Sequence, residues 1–387
     1  MTTPHITSLK IRGYRPFRDF TATLGSLEVL VGANGAGKSA LFEFLKFLRD
    51  STYQDIPPEI IYGSIGQAIF HQPGADRLWW SVCLDLNRPH PLQYQGEILG
   101  PIGKTQVIFE RVLTVPPKGQ PPLVFLDMQG QSGIIRNEQG QHEEYSLELR
   151  RKNQLALSTA TNPNLPTLYL LRETLLGWRF YSSFRINHDK IRKPVPIEET
   201  PTLAEDAGNL SAVLFYLSSE HPHAFEELHL YLRAMIPHFQ RLSLKARGRG
   251  EVIAFWQEKG VQAELSLADV SDGILRLLCW SVLALTPTPP SLICIDEPDQ
   301  GVHPRTLPIL AGMFQRASER TQILIATHAS YFVKQFDLST IAVMRKEDGQ
   351  AVFRKPLDSA VLKDLLQDFG TDDLEYWHQS DQLEDLA

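Results

Sequence analysis

Three cysteines among 387 residues, Cys83, Cys279 and Cys294, are too few and too widely spaced for a disulfide framework. No Cys-x-x-Cys pair occurs, which excludes a zinc ribbon or a zinc hook. Cys279 and Cys294 lie inside apolar segments and read as small core residues of a reducing compartment. No apolar run approaches the roughly 18 residues that cross a bilayer, so no membrane partner is expected. Met1-Thr2-Thr3-Pro4-His5 lacks the basic and apolar stretches of a secretory signal, and cytoplasmic residence is the expectation. Sustained heptads are missing, which excludes a long coiled coil, and no internal repeat is visible.

What is present is an ordinary globular composition, 43% hydrophobic and 21% charged. The length suits two or three domains. The net charge of −7 is concentrated at one end. Residues 362–387 hold eight acids (Asp364, Asp368, Asp372, Asp373, Glu375, Asp381, Glu384, Asp385) and one base, Lys363. The remainder, with 37 acids and 37 bases, is neutral. The acidic tail reads as a solvated end or as a segment that docks on a basic partner.

Residues 32–39, Gly-Ala-Asn-Gly-Ala-Gly-Lys-Ser, match G-x-x-x-x-G-K-[ST]. The apolar run Leu27 to Val31 precedes them, and helix-forming Ala40 to Leu48 follows, which is the strand, loop and helix order that a phosphate-binding loop needs. Glycines let backbone N–H groups curl around a phosphate, and a helix N-terminus adds partial positive charge. Gly32, Asn34, Gly35, Ala36, Gly37, Lys38, Ser39 and Ala40 are therefore the candidate nucleotide-binding residues. Lys38 is expected to reach the β- and γ-phosphates of ATP, and Ser39 to hold Mg²⁺.

Farther along, Leu292-Ile293-Cys294-Ile295 is a short apolar run ending in Asp296-Glu297-Pro298. A buried strand here delivers Asp296 to bind Mg²⁺, directly or through water. Glu297 then stands beside the γ-phosphate to polarise the attacking water. Ile323-Leu324-Ile325-Ala326 is a second buried strand, ending in Thr327-His328, a polar pair expected to face the same phosphate. Ser271-Asp272-Gly273 opens an apolar helix, with Ser271 as N-cap and Gly273 permitting close approach. That N-terminus is a candidate anion site for the ATP of a second subunit.

The coarse reading along the chain begins with a hairpin over Ile6 to Leu24 that leads into the P-loop strand. Strands separated by turns over 78–149 form an antiparallel β lobe. A helix is expected over 166–184, with Leu168, Leu171, Leu175 and Trp178 on one face, and an extended proline-rich loop over 193–201. Two helices broken near His221-Pro222 follow, and strands alternate with helices from about residue 250. The expected units are 1–152, an ATPase lobe with the β subdomain; 153–250, a mainly helical insertion; 251–361, the second ATPase lobe; and 362–387, the acidic tail.

These motifs, with Asp299-Gln300-Gly301-Val302-His303-Pro304 and Leu170 to Tyr181, resemble the ABC-type ATPases of the RecF/SMC-like branch. More narrowly they resemble the bacterial "predicted ATPase" group of AAA-family proteins with a RecF-like head. The resemblance runs from Ile6 to about Phe353. It implies an α/β fold, a P-loop NTPase head with a mixed or parallel core sheet. It also implies ATP hydrolysis with Mg²⁺ and an ATP-dependent homodimer. Ser271, Asp272 and Gly273 then occupy the signature position, although Asp272 stands where transporters usually have Gly. Asp299 begins the D-loop, His328 is the switch histidine, Glu297 the catalytic carboxylate, and Gln67 or Gln72 the Q-loop glutamine. The 232 positions from Ser39 to Ser271 exceed the interval of a transporter subunit, and no acidic cluster like a Toprim nuclease follows residue 340.

Three basic stretches, Arg241/Lys245/Arg247/Arg249, Arg150-Arg151-Lys152 and Lys190/Arg192/Lys193, are either solvated loops or a phosphate-binding face. No base-reading motif is present, so any DNA binding is expected to be sequence-independent. The expected output is action on DNA or on a partner effector, in genome maintenance or anti-phage defence. The alternative is a nucleotide-gated scaffold that regulates a partner protein without touching DNA.

Overall fold

A computed structural model describes residues 4–56, 77–100, 105–136, 144–182, 186, 188–248 and 250–358. Gln67, Gln72, Arg249 and the acidic tail lie outside the described residues.

The chain opens with β1 (His5–Tyr14), β2 (Phe17–Thr23) and β3 (Leu27–Val31), then α1 (Lys38–Asp50). The β lobe follows as β4 (Arg77–Asp85), β5 (Leu92–Leu99), β6 (Gln106–Thr114), β7 (Val124–Gln129), β8 (Ser132–Arg136) and β9 (Glu144–Glu148). Next come α2 (Pro166–Leu176), β10 (Arg179–Ser182), α3 (His188–Ile191), β11 (Val195–Pro196), α4 (Leu210–Glu220) and α5 (Pro222–Met235). β12 (Phe239–Arg247), β13 (Glu251–Glu258) and β14 (Leu265–Ser266) precede α6 (Asp272–Leu285). β15 (Leu292–Asp296), α7 (Leu307–Ala317), β16 (Gln322–Ala326), α8 (Ser330–Val333), β17 (Ile341–Glu347) and β18 (Gln350–Arg354) complete the described chain.

Apolar runs without alternation build the central sheet, ordered β10-β15-β16-β3-β17-β18, in which all pairs but β17–β18 are parallel. Both faces are covered, as such runs demand. Val29, Val31, Ile293, Ile295, Ile323 and Ile325 pack with α4 to α7. Leu30, Leu292, Cys294, Leu324 and Ala326 pack with α1, α2 and the β lobe. The lobe itself is one antiparallel sheet, β2-β1-β4-β5-β6-β7-β8-β9. Buried Gln322 fastens the two sheets. Its Oε1 accepts from Ile6 N–H at 2.8 Å, and its Nε2 donates to Ile6 O and Gly25 O, each at 2.8 Å.

One expectation is corrected. The helix over 166–184 ends at Leu176, because Gly177 closes it with bonds from Gly177 N–H to Glu173 O and Trp178 N–H to Leu175 O. The next four residues become β10, parallel to β15, with Phe180 and Tyr181 on opposite faces. The stretch 153–250 carries α2 to α5 and also β10, β11 and β12. β12 and β13 form a hairpin with Arg247 opposite Glu251, so a boundary at 250 cuts through its turn.

Candidate functional site

β3 ends at Val31, and the chain turns through Gly32 to Gly37 before α1 begins at Lys38. Gly37 is the N-cap in the left-handed region, φ 112°. Gly32 has φ 147°, and a Cβ there would lie 2.0 Å from Met344 O on β17, so only glycine lets the loop pass so close to that strand. The first-turn N–H groups of α1 have no intrahelical acceptor and open onto the loop's cleft. Buried Lys38 donates its Nζ to Gly32 O and, at 3.3 Å, to Ala33 O.

β15 and β16 bring the acidic and polar residues to the same sheet edge. Ser39 Oγ donates to Asp296 Oδ2 at 3.2 Å. Glu297 follows the strand with φ 54°, an uncommon and strained conformation for a non-glycine residue. Its N–H is held by Ala326 O at 2.8 Å. His328 Nδ1 meets Glu297 Oε1 at 2.7 Å, while buried Glu297 Oε2 has no hydrogen-bond partner among the described residues. Desolvation raises the pKa of Asp296, against the Ser39 hydrogen bond and the charges of Lys38 and His328. Desolvation also raises that of Glu297. The His328 contact opposes this shift, and Asp299 and Asp296 reinforce it.

The resulting cleft, of ≈ 440 Å³, is lined by Asn34 to Ala40, Asp296, Glu297, Arg15, Pro16, Lys346 and Gly349. The last four were not foreseen. Arg15 and Pro16 come from the β1–β2 turn, and Lys346 and Gly349 from the β17–β18 hairpin. Ala351 N–H donates to Pro16 O at 2.7 Å and joins the two turns. Asp348-Gly349 was legible as a hairpin turn, but nothing local placed it beside the P-loop.

Ser271, Asp272 and Gly273 do not line this cleft. Ser271 is the N-cap of α6 by backbone conformation, but its side chain makes no capping hydrogen bond, contrary to expectation. Ser271 and Asp272 are exposed. Gly273 abuts the loop after β15, where a Cβ would meet Gly301 O at 2.5 Å. Arg276 Nη1 donates to Gln300 O at 2.7 Å. Asp299 Oδ1 accepts from Thr327 Oγ1 at 2.7 Å. Residues 297–301 thus touch both the strand ends and the start of α6.

The residues fit a nucleotide with Mg²⁺. One hydroxyl and one carboxylate in contact suit an ion that takes few protein oxygens and completes its shell with phosphates and water. The unpartnered Glu297 Oε2 and the free helix N-terminus supply a proton acceptor and an anion cradle.

A family profile described as "AAA domain, putative AbiEii toxin, Type IV TA system" matches residues 113–334, more than half of the chain. The chain belongs to this AAA family. A second profile, "AAA ATPase domain", matches residues 5–76 of the AAA chain, which include the P-loop. Among solved structures it is similar to an Smc head bound to the C-winged helix domain of ScpA. The identity is 12% and the TM-score 0.58, over 90% of this chain and 97% of that one. It is also similar to an Smc head domain with an extended coiled coil bound to the C-terminal domain of ScpA, from Pyrococcus furiosus. There the identity is 12% and the TM-score 0.56, over 94% and 100%. The AAA chain therefore has the α/β P-loop fold of ABC/SMC-like ATPase heads. No curated protein sequence matches it.

Proposed function

We propose that this AAA chain is an ATP-dependent switch. It binds ATP with Mg²⁺ and closes into a homodimer in which Ser271, Asp272 and Gly273 of each copy complete the other's cleft. Hydrolysis then opens the dimer. One observation carries the reading: Lys38, Ser39, Asp296 and Glu297 line one cleft, with His328 bonded to Glu297, while Ser271 to Gly273 lie outside it on the same chain.

Each residue has a role that its surroundings support. Lys38 and the α1 N-terminus hold the β- and γ-phosphates. Ser39 and Asp296 would hold Mg²⁺, which when bound neutralises phosphate charge. Glu297 is oriented through Oε1 by His328, which leaves Oε2 for the attacking water. Its raised pKa makes it a better proton acceptor than an exposed carboxylate. Asp299, held by Thr327, places the loop that faces the second copy.

For the output, sequence-independent DNA binding would draw on exposed cations at the two outer strands of the β11-β13-β12 sheet. Arg192 and Lys193 precede β11, and Arg247 ends β12. Other cations of the basic stretches are engaged: Lys190 with Asp206, Arg151 with Asp55, and Lys245 with Glu264. The family's link to a type IV toxin–antitoxin system favours a defence setting over a transporter. The scaffold alternative draws on the two Smc heads, both in complex with a ScpA domain, and on the acidic tail.

Subunit mixing tests the proposal. Lys38→Ala and Ser271→Arg should each abolish ATP hydrolysis. Mixed one to one, random pairing makes half the dimers mixed, each with one intact composite site, so about a quarter of the wild-type rate should return. No recovery in dimers shown to have mixed contradicts the shared site. DNA binding by ATP-loaded Glu297→Gln, falling steeply with salt, supports the DNA output. Loss of a co-purifying partner on deletion of residues 362–387 supports the scaffold.

A further inference from the structure

Two clefts share the Ser39–Asp296 pair as a common wall. One is the P-loop cleft, and the second has a volume of ≈ 400 Å³. The second is bounded by Phe42 of α1 and by Phe180 and Ser182 of β10. β10 is the edge strand of the central sheet and runs parallel to β15, with Ser182 opposite Asp296. Adjacent strands lie about 4.8 Å apart, and residues paired in register point to the same face. Parity identifies that face. Tyr181 packs in the helical-side core with Ile295, whereas Phe180 packs with Cys294 on the side of α1. Ser182 and Asp296 therefore both face α1, where Ser39 Oγ stands 3.2 Å from Asp296 Oδ2.

The strand is held in that place. Glu205 Oε1 accepts from Phe180 N–H at 3.2 Å and also pairs with Arg49 near the end of α1. Tyr181 Oη donates to Leu203 O at 2.7 Å. Glu205 thus fastens the edge strand to the far end of the P-loop helix.

We propose that Ser182 is a positioning residue for Mg²⁺, its hydroxyl holding a water of the ion's outer shell. The inference rests on the ATP–Mg²⁺ reading above. Mg²⁺ gives up its waters reluctantly, and Ser39 and Asp296 are only two protein oxygens. An exposed hydroxyl on the neighbouring strand, facing the same way, is suitably placed for a retained water. Outer-shell partners of metal sites are worth about 10–100-fold in metal affinity.

The test is a Mg²⁺ titration of the full chain with a fluorescent, non-hydrolysable ATP analogue, repeated in EDTA and with Mn²⁺ by EPR. Ser182→Thr keeps the hydroxyl, and Ser182→Val is its isosteric hydroxyl-free counterpart. Ser182→Ala is a second hydroxyl-free variant. Ser182→Val and Ser182→Ala should raise the half-saturating Mg²⁺ concentration by about tenfold or more. Ser182→Thr should stay near wild type, and binding in EDTA should be equal in all four proteins. Equal Mg²⁺ dependence for Ser182→Val and Ser182→Thr overturns the assignment, as does weaker binding in EDTA by Ser182→Val and Ser182→Ala than by wild type. If wild-type protein binds the analogue with no response to Mg²⁺, the ATP–Mg²⁺ reading itself fails and takes this inference with it.

Discussion

Glu110 is a carboxylate buried in the β lobe, and replacing it with glutamine isolates its charge. The side chain has no exposed surface. It accepts hydrogen bonds from Tyr94 Oη at 2.9 Å, from Leu157 N–H at 3.1 Å and from Ala156 N–H. It thereby pins the short helical turn that leads toward α2 and β10. Burial outweighs these three donors and raises its pKa from 4.5 to about 7. At 1.36 kcal/mol per unit, ionisation in the folded protein costs about 3 kcal/mol more than in the unfolded chain. The folded state binds the proton more tightly, so this contribution to stability is full below pH 4.5 and lost as pH rises through about 7. Urea unfolding of wild type and Glu110→Gln, followed by tryptophan fluorescence, measures it. Trp80 reports locally, with its ring centroid 6.1 Å from that of Tyr94. The wild-type advantage over the variant should shrink by about 3 kcal/mol across that pH range. A difference that does not change with pH refutes the reasoning.

Other consequences follow from single contacts. Gln322→Leu strands the buried N–H and C=O of Ile6 and should destabilise the protein by about 2–4 kcal/mol, read as a lower urea midpoint; unchanged stability contradicts the role of Gln322 as a fastener. Gly32→Ala drives a Cβ into Met344 O and should weaken nucleotide binding by about tenfold or more in equilibrium titration; wild-type affinity would mean that this approach is unimportant. His229 is buried, with Nδ1 donating to Phe225 O at 2.8 Å and Nε2 accepting from Leu242 N–H at 3.1 Å, and burial lowers its pKa below 6.5. Its contribution to stability is present above pH 6.5 and lost as pH falls toward the folded value; an NMR titration of the imidazole showing an ordinary pKa contradicts this.

Much of the candidate site was legible because its signals are contiguous. A P-loop, or an apolar strand ending in Asp-Glu, is a local pattern that carries its own context. The rest depends on register. Ser182 becomes interesting only when β10 pairs with β15, and four residues beyond a helix are too short a run to announce a strand. Arg15 and Lys346 are 331 positions apart in sequence and share a cleft because β18 packs beside β2, with Ala351 N–H bonded to Pro16 O. Glu110 is a polar residue within an alternating strand pattern, and Gln322 is a polar residue at the head of an apolar run, so neither pattern marks it as buried. Their burial depends on backbone groups brought in from elsewhere.

The central claim is that this cleft binds ATP through Lys38 and hydrolyses it through Glu297. The most direct measurement pairs equilibrium binding of Mg²⁺–ATP with phosphate release by purified wild type, Lys38→Ala and Glu297→Gln. Removing a catalytic base should cost about 10²–10⁴-fold in rate. Wild type should bind and turn over ATP, Lys38→Ala should lose binding, and Glu297→Gln should bind as wild type does while losing turnover by that factor. Hydrolysis at the wild-type rate by both variants contradicts the account.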